Sequence, residues 1–445
     1  MRLTVSELLE AVGGELLCGN SWDSFEFVST DTRETLKGKL FIPLKGENFD
    51  GHNYIEKALK DGAKGYLTEK DEVYPFPCFA VKVADTKKAL GALAEYVLKR
   101  SGAFVIGITG SVGKTTTRQF IASVVSKVGK TVCTHGNLNN HIGLPLSILR
   151  MDGDEKFAVL EMGMSAFGEI SYLSKIAKPD LAVITLIGTS HIEFLGSREN
   201  ILKAKLEILD GMKTGGKLIF NGEDSTLCSL KNKYDTLYYG LKNTEIISDS
   251  PSGIFKTDNE EYEIDTAGRH NIINASCAIL IGKLLGASYT QIKDGLKAFE
   301  QEENRQKIEK ANEKTIITDC YNASLDSDLA ALSVLNSAEG KRKVAILGGI
   351  GEMGVFLEDT LKEVGAAVYK NNVDLLICTD ENSHFIMDGA LKAGMNKENI
   401  LHFESKNALL KNIDDILKDG DTVLIKASHK YKFEEISEYI IKKGK

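Results

Sequence analysis

Ile106-Gly107-Ile108-Thr109-Gly110-Ser111-Val112-Gly113-Lys114-Thr115-Thr116-Thr117 decides how this chain is read. The apolar run Ala103 to Ile108 predicts a buried strand, and Arg118 to Lys127 carries apolar residues at helical spacing. Between them lies a glycine-bounded loop ending in Gly-Lys-Thr, the context a phosphate-binding loop requires. Gly110 and Gly113 permit backbone angles that turn successive N–H groups towards one point, and the helix N-terminus adds partial positive charge there. Gly110, Ser111, Val112, Gly113, Lys114, Thr115 and Thr116 are therefore expected to hold a nucleoside triphosphate. Lys114 can reach the β- and γ-phosphates, and Thr115 can offer its hydroxyl to Mg²⁺. An incidental glycine-rich connector would match the loop but not its strand and helix.

Working outward, Lys130 to Thr134 predicts a strand, followed by the Asn-rich stretch Gly136 to Pro145. Asn139 and Asn140 fit either turn chemistry or a role in orienting a phosphate, a metal-bound water or a carboxylate. The apolar strand Phe157 to Leu160 ends in Glu161, a carboxylate at the carboxyl end of a buried strand, where open α/β sheets place ligands. Glu161 is a candidate Mg²⁺ ligand, and capping the following helix is the competing role. Leu181 to Leu186 repeats the strand pattern and delivers His191, a residue that at a strand end more often packs than ligates. Arg198 to Leu209 reads as a helix whose Lys203 and Lys205 form a solvated face by pattern. Lys217 to Phe220 is a further strand, and Leu237 to Asp265 reads as short strands and turns. Asn271 and Asn274 open an apolar helix reaching Leu285, as caps or as partners for an adenine edge. A polar stretch from Glu300 to Arg305 then leads into the last region.

Before the loop strand, helices are expected over Thr4 to Val12, Ile55 to Lys60 and Thr86 to Lys99. Strands are expected over Gly65 to Thr68 and Phe79 to Val83, while Phe25 to Val28 leads into a polar stretch. Ser29-Thr30-Asp31-Thr32-Arg33 is either a solvated turn or a pyrophosphate and nucleoside holder, since small polar groups beside a guanidinium suit both. From about Lys314 strands and helices alternate, which predicts a parallel, helix-covered sheet. Gly348-Gly349-Ile350-Gly351 is weak support for a dinucleotide site, because no acidic residue follows at the expected place.

The 445 residues are too many for one core. Boundaries are expected after residues 100 and 310, giving an N-terminal α/β domain (1–100), a central phosphate-loop domain with a mostly parallel sheet (101–310) and a C-terminal Rossmann-like α/β domain (311–445). Apolar residues at 42% and charged residues at 27% are ordinary for a soluble globular protein. A net charge of -8 argues against a nucleic-acid surface as the main business. Seven scattered cysteines without Cys-x-x-Cys pairs favour reduced thiols in a cytoplasmic protein. Neither a membrane-span pattern nor a signal-peptide pattern is expected from the sequence.

Taken together, several stretches make the chain resemble the Mur ligases, ATP-dependent amide-forming enzymes that build the peptide of the bacterial cell wall. These are Ser29 to Arg33 with Asp50-Gly51-His52, Thr109 to Thr117, Gly136 to Pro145, Glu161-Met162-Gly163, His191 with Gly196-Ser197, Ala204 to Ile208, His270 to Ala275 and Asp319 to Ala323. The resemblance implies that Thr115 and Glu161 hold Mg²⁺, that His191 binds a second Mg²⁺, and that Lys205 is carbamylated and helps hold it. It also implies that Asn274, Arg305 and Asp319 contact the adenine, phosphate and ribose of ATP. Ser29, Thr30, Asp31, Arg33 and Asp50, with Asn139 and Asn140, are implied to hold the sugar-nucleotide substrate. The implied substrates are UDP-N-acetylmuramoyl-tripeptide and D-alanyl-D-alanine, joined by a cytoplasmic monomer through an acyl phosphate made with Lys114.

The departures from the family cluster in the last domain. Asn322-Ala323-Ser324-Leu325 stands where the family usually reads Asn-Ala-Asn-Pro, and Leu347-Gly348-Gly349-Ile350 where it reads Leu-Gly-Asp-Met. Lys426-Ala427-Ser428-His429 replaces Lys-Gly-Ser-Arg. They leave open a relative that joins a different amino acid or dipeptide. An ATP-binding sensor that has lost ligation is the reading from another class, and it conflicts with Lys114, Glu161, His191 and Lys205 occurring together.

Overall fold

The described residues form five sheets, of which the three larger ones are built from strands that alternate with helices. A computed structural model describes residues 1–302 and 305–442; Glu303 and Asn304 of the polar stretch lie outside the described residues. Packing divides the chain into two compact units. One comprises Met1–Thr109, Val125–Ile184 and Lys205–Ile219, the other Gly110–Val124, Thr185–Ala204 and Phe220–Lys445.

In the first unit the opening helix spans Val5–Val12. It starts after Thr4 because Thr4 and Glu7 form a reciprocal capping box, the Glu7 carboxylate accepting the Thr4 N–H at 2.8 Å. The stretch from Ser24 to Ser29 serves two sheets. Ser24–Glu26 pairs with Arg2–Thr4, Phe27 adopts a left-handed φ of 60°, and Val28–Ser29 joins a different sheet. That sheet runs Glu15–Cys18, Phe79–Lys82, Gly65–Thr68, Leu40–Phe41, Val28–Ser29, antiparallel at the first pair and parallel thereafter. The helix Thr86–Ser101 is capped by the Asp85 carboxylate at one end and by Gly102 at the other.

The central six-stranded sheet runs Thr236–Tyr239, Lys217–Asn221, Leu181–Ile184, Phe104–Thr109, Phe157–Glu161, Thr131–Cys133. Phe104–Thr109 lies parallel between Leu181–Ile184 and Phe157–Glu161, and both of these neighbours are buried along their whole length. Such strands read as continuous apolar runs because helices cover both faces of a parallel sheet. The register sets Ile108 opposite Glu161 and Thr109 opposite Ile184. The carboxyl ends of three strands are thus aligned where the phosphate-loop sequence begins.

In the second unit the loop helix spans Lys114–Val125, starting four residues before the apolar spacing indicates. The weakly patterned stretch resolves into Thr236–Tyr239 and an antiparallel sheet of Thr244–Ser248, Gly253–Thr257 and Glu260–Ile264. The last sheet runs Lys307–Ala311, Lys314–Thr318, Asp421–Lys426, Arg342–Leu347, Leu375–Thr379, Ile400–Phe403. It is not parallel throughout. Lys307–Ala311 is an antiparallel edge strand joined to Lys314–Thr318 through Asn312 and Glu313, both left-handed. Paired positive φ angles suit a tight hairpin turn. The edge strand reads Lys-Ile-Glu-Lys-Ala, without apolar alternation, so it has no signal in the sequence. Among the described residues no helix is long and apolar enough to cross a membrane.

Candidate active site

The phosphate loop follows directly from the strand Phe104–Thr109. Gly110 packs so tightly that a Cβ there would stand 1.9 Å from the Thr185 hydroxyl oxygen, and Gly113 holds a left-handed φ of 83°. The loop is tied down on one side only. The Ser111 N–H donates to the Leu186 carbonyl at 2.7 Å, and the Thr185 hydroxyl donates to the Val112 carbonyl at 2.6 Å. Among the described residues the N–H groups of Val112 and Gly113 have no hydrogen-bond acceptor. Two open donors beside a helix N-terminus suit an anion. The Lys114 ammonium bends back over the loop, donating to the Gly110 carbonyl at 2.7 Å and to that of Ser111 at 3.3 Å. A phosphate oxygen could replace these neutral acceptors.

Around the loop the second unit gathers the residues expected at the nucleotide. Asn274 Oδ1 accepts from the Thr117 hydroxyl at 3.2 Å. Arg305 donates to Thr115 Oγ1 at 3.1 Å and stacks on the Tyr321 ring, its guanidinium carbon 3.8 Å from the ring centre. Asp319 Oδ1 accepts the Gln306 N–H at 3.2 Å, while its Oδ2 meets the Lys426 ammonium at 2.6 Å. Lys426 is 1% exposed and lies 3.7 Å from the equally buried Asp328. Burial pushes the Asp328 carboxyl up to about 7, outweighing the nearby ammonium. His191 begins the short helix Ile192–Leu195 with a left-handed φ of 65°, and its Nδ1 lies 2.6 Å from the Glu352 carboxylate. That contact holds the Glu352 carboxyl below the usual carboxylate range.

In the first unit Glu161, 1% exposed, receives a hydrogen bond from Asn139 Nδ2 at 2.8 Å. Asn140 Oδ1 accepts from the N–H groups of Ile142 and Gly143 just ahead of the helix Gly143–Ile148. Lys205 belongs to the helix Arg198–Leu206 and is 1% exposed, so it is not on the solvated face that its spacing suggests. Arg33 clamps Asp31 through its Nε at 2.9 Å and holds that carboxyl down at about 2. The Ser29 hydroxyl bonds the Glu34 carboxylate at 3.0 Å, and Ser29 and Thr30 line a cavity of about 250 Å³ with Lys39 and Arg150. Asp50 has a structural engagement: its carboxylate caps the turn at the His52 N–H and lies 2.7 Å from His52 Nδ1. The buried His52 accepts the Glu69 N–H through Nε2.

Sequence reasoning passed over Glu352, Tyr321, Lys426 and Asp328. Tyr321 and Lys426 stand inside quoted motifs without an assigned role. Glu352 and Asp328 carry no local signal, because their partners come from distant parts of the chain. The departures in the last region also gain a physical account. Ser324 caps the helix Leu325–Ser337 through a capping box with Ser327. A Cβ at Gly349 would stand 2.3 Å from the Tyr431 hydroxyl, so no aspartate fits there beside Tyr431. The Gly349 N–H donates instead to Asp380 at 2.7 Å.

Comparison with known proteins agrees with this geometry. Residues 24–97 match the Mur ligase family catalytic domain, 108–282 the Mur ligase middle domain, and 304–429 the Mur ligase glutamate ligase domain. The chain is 39% identical to the UDP-N-acetylmuramoyl-tripeptide–D-alanyl-D-alanine ligase of Bacillus subtilis, over 99% of each chain. It is 30% identical to the ligase of the same name from Escherichia coli, over 98% of this chain and 97% of that one. A crystal structure of MurF from Acinetobacter baumannii superposes with a TM-score of 0.89 at 26% identity, over 99% of both chains. MurF of Thermotoga maritima in complex with ADP superposes with a TM-score of 0.82 at 26% identity, over 94% of this chain and 97% of that one. The chain belongs to the Mur ligase family and has its three-domain α/β architecture.

Proposed function

We propose that this chain joins D-alanyl-D-alanine to UDP-N-acetylmuramoyl-tripeptide, using ATP and releasing ADP and phosphate. The single observation that carries this reading is the near full-length likeness to ligases bearing that name, 39% identical in one case. A phosphate loop with two open N–H donors supports the ATP half of the reaction.

The peptide carboxylate attacks the γ-phosphorus, and the β–γ bridging oxygen leaves with ADP. The amine of the dipeptide then attacks the acyl phosphate carbonyl, and the tetrahedral intermediate collapses with loss of phosphate and a proton. Lys114, released from the loop carbonyls, offsets charge on the transferring phosphoryl group together with the N–H groups of Val112 and Gly113. Asn274, Arg305 and Asp319 hold the nucleotide, with Arg305 kept flat by Tyr321. Ser29, Thr30, Asp31, Arg33, Asp50, Asn139 and Asn140 serve the sugar-nucleotide end, Asp50 by shaping the turn at His52.

The donors present suit Mg²⁺. Thr115 offers a hydroxyl, Glu161 a buried carboxylate and His191 an imidazole nitrogen. An ammonium at Lys205 would repel a cation, whereas its carbamate, formed from the amine and CO₂ with loss of a proton, supplies anionic oxygens. Two Mg²⁺ ions would neutralise phosphate charge at these residues. The domains are 1–100 for the sugar nucleotide, 101–310 for ATP and 311–445 for the amine. The working form is a cytoplasmic monomer.

The test is phosphate release by the purified protein with ATP, Mg²⁺ and UDP-N-acetylmuramoyl-tripeptide, with and without D-alanyl-D-alanine, with mass spectrometry of the product. Release that needs the dipeptide, with a pentapeptide product, is expected. Turnover supported only by another amine would replace this reading with that of a relative of changed specificity, and the Gly349 and His429 departures would be where to look.

A further inference from the structure

The contact between His191 and Glu352 joins two short segments that share an unusual backbone. His191 and Glu352 both hold left-handed φ angles, 65° and 58°, and neither is glycine. Non-glycine residues persist in that region only where their surroundings impose it, and such positions cluster at functional sites. Here the surroundings are each other. The Glu193 N–H donates to the Glu352 carbonyl at 3.3 Å, and the turn Gly354–Phe356 packs on the helix Ile192–Leu195. A Cβ at Gly354 would come within 3.1 Å of the Glu193 side chain. Glu352 itself belongs to the loop that follows the strand Arg342–Leu347 of the last sheet.

The chemistry of the pair has one consistent assignment. His191 Nδ1 stands 2.6 Å from Glu352 Oε2, close but outside hydrogen-bond alignment, and it has no other hydrogen-bond partner among the described residues. Because an ionised carboxylate only accepts, the proton of the neutral ring belongs on Nδ1. The Nε2 atom then holds the lone pair, and among the described residues it makes no hydrogen bond. A carboxylate on one imidazole nitrogen fixes the ring orientation and raises the basicity of the other.

We propose that Glu352 is a positioning residue for the second divalent cation: it locks the His191 ring so that Nε2 is presented as the ligand atom. This rests on the reading of His191 as a metal ligand. Because Glu352 comes from the last sheet, the His191 ligand is complete only when that loop is seated. Coupling a metal ligand to the region that supplies the amine ties cation binding to readiness for the second half-reaction.

The test is Mn²⁺ binding to the full chain with saturating ADP, followed by electron paramagnetic resonance, for the wild type and for Glu352→Ala, Glu352→Gln and His191→Ala. Wild type is expected to bind two Mn²⁺ per chain. Glu352→Ala should weaken the second site by about 10–100-fold. Glu352→Gln, which still offers Nδ1 an oxygen, should recover much of that loss. The first site and the ADP affinity should stay within about two-fold, which general damage to the fold would not allow. If His191→Ala loses the second ion while Glu352→Ala binds it like the wild type, or more tightly, the positioning role is wrong. If His191→Ala keeps both ions, the ligand reading of His191 fails and the proposal with it.

Discussion

Two glycine-rich loops follow parallel strands in this protein, and their backbone N–H groups have opposite fates. After Phe104–Thr109, the loop Gly110–Gly113 leaves the N–H groups of Val112 and Gly113 without acceptors among the described residues. After Arg342–Leu347, the loop Gly348–Gly351 spends three of its N–H groups on acceptors elsewhere in the chain. The Gly348 N–H donates to the Lys426 carbonyl, that of Gly349 to Asp380, and that of Gly351 to the Ser428 hydroxyl. The lysines differ in the same way. Lys114 rests on two neutral carbonyls, which a phosphate can displace, whereas Lys426 is buried against Asp319 and Asp328. Glycine content alone therefore does not make an anion site. What matters is whether the donors remain unspent after folding.

The largest expected effects separate the two lysines. Lys114→Ala should lower kcat by about 10²–10³-fold with little change in thermal stability. Lys426→Met should instead cost about 3–5 kcal/mol in denaturant unfolding, because it leaves the buried Asp328 and the partly buried Asp319 without their cation. A Lys114 variant that unfolds easily, or a Lys426 variant as stable as the wild type, would break the contrast between a working lysine and a structural one.

A smaller effect is expected when a methyl group is added to each loop. Gly110→Ala sets a Cβ against Thr185 and should cost about 1–3 kcal/mol while abolishing ADP binding measured by calorimetry. Gly349→Ala meets the Tyr431 hydroxyl, the far end of a side chain that can swing, and should cost about 1 kcal/mol with ADP affinity unchanged. Adding Tyr431→Phe should recover part of that loss. Weakened nucleotide binding by Gly349→Ala would show that the second loop also serves the nucleotide.

The smallest effect is a pH slope. The Asp328 carboxyl is raised to about 7 in the folded chain, against an ordinary value of about 4 unfolded. Between these values the folded state binds the proton that the unfolded state has lost. Its contribution to stability is full below about pH 4 and is lost as pH rises through about 7. Asp328→Asn should flatten unfolding free energy against pH across that window. An unchanged slope would mean that Lys426 keeps Asp328 ionised throughout.

Much of the first loop was legible because its signals are local. Strand periodicity, two glycines at fixed spacing and a lysine at a helix start are adjacent in the chain, and folding only aims them. The second loop misled by composition alone, since its acceptors lie on Asp380, Lys426 and Ser428. Lys205 was misread for a similar reason: helical spacing reports which residues share a face, not what that face packs against. The strand Lys307–Ala311 was invisible because an edge strand needs only one partner and no apolar face.

By itself the sequence determined the alternation of strands and helices, the phosphate loop, and the carboxylate at the end of Phe157–Glu161, since each follows from periodicity, steric freedom and capping within a few residues. Only the tertiary structure decided that Glu352 meets His191, that Tyr321 faces Arg305, and that Lys426 is locked to an aspartate 107 residues away. A side chain's type sets which contacts it can make. Which partner it finds depends on the order of strands in the sheet, and that order is a property of the packed whole.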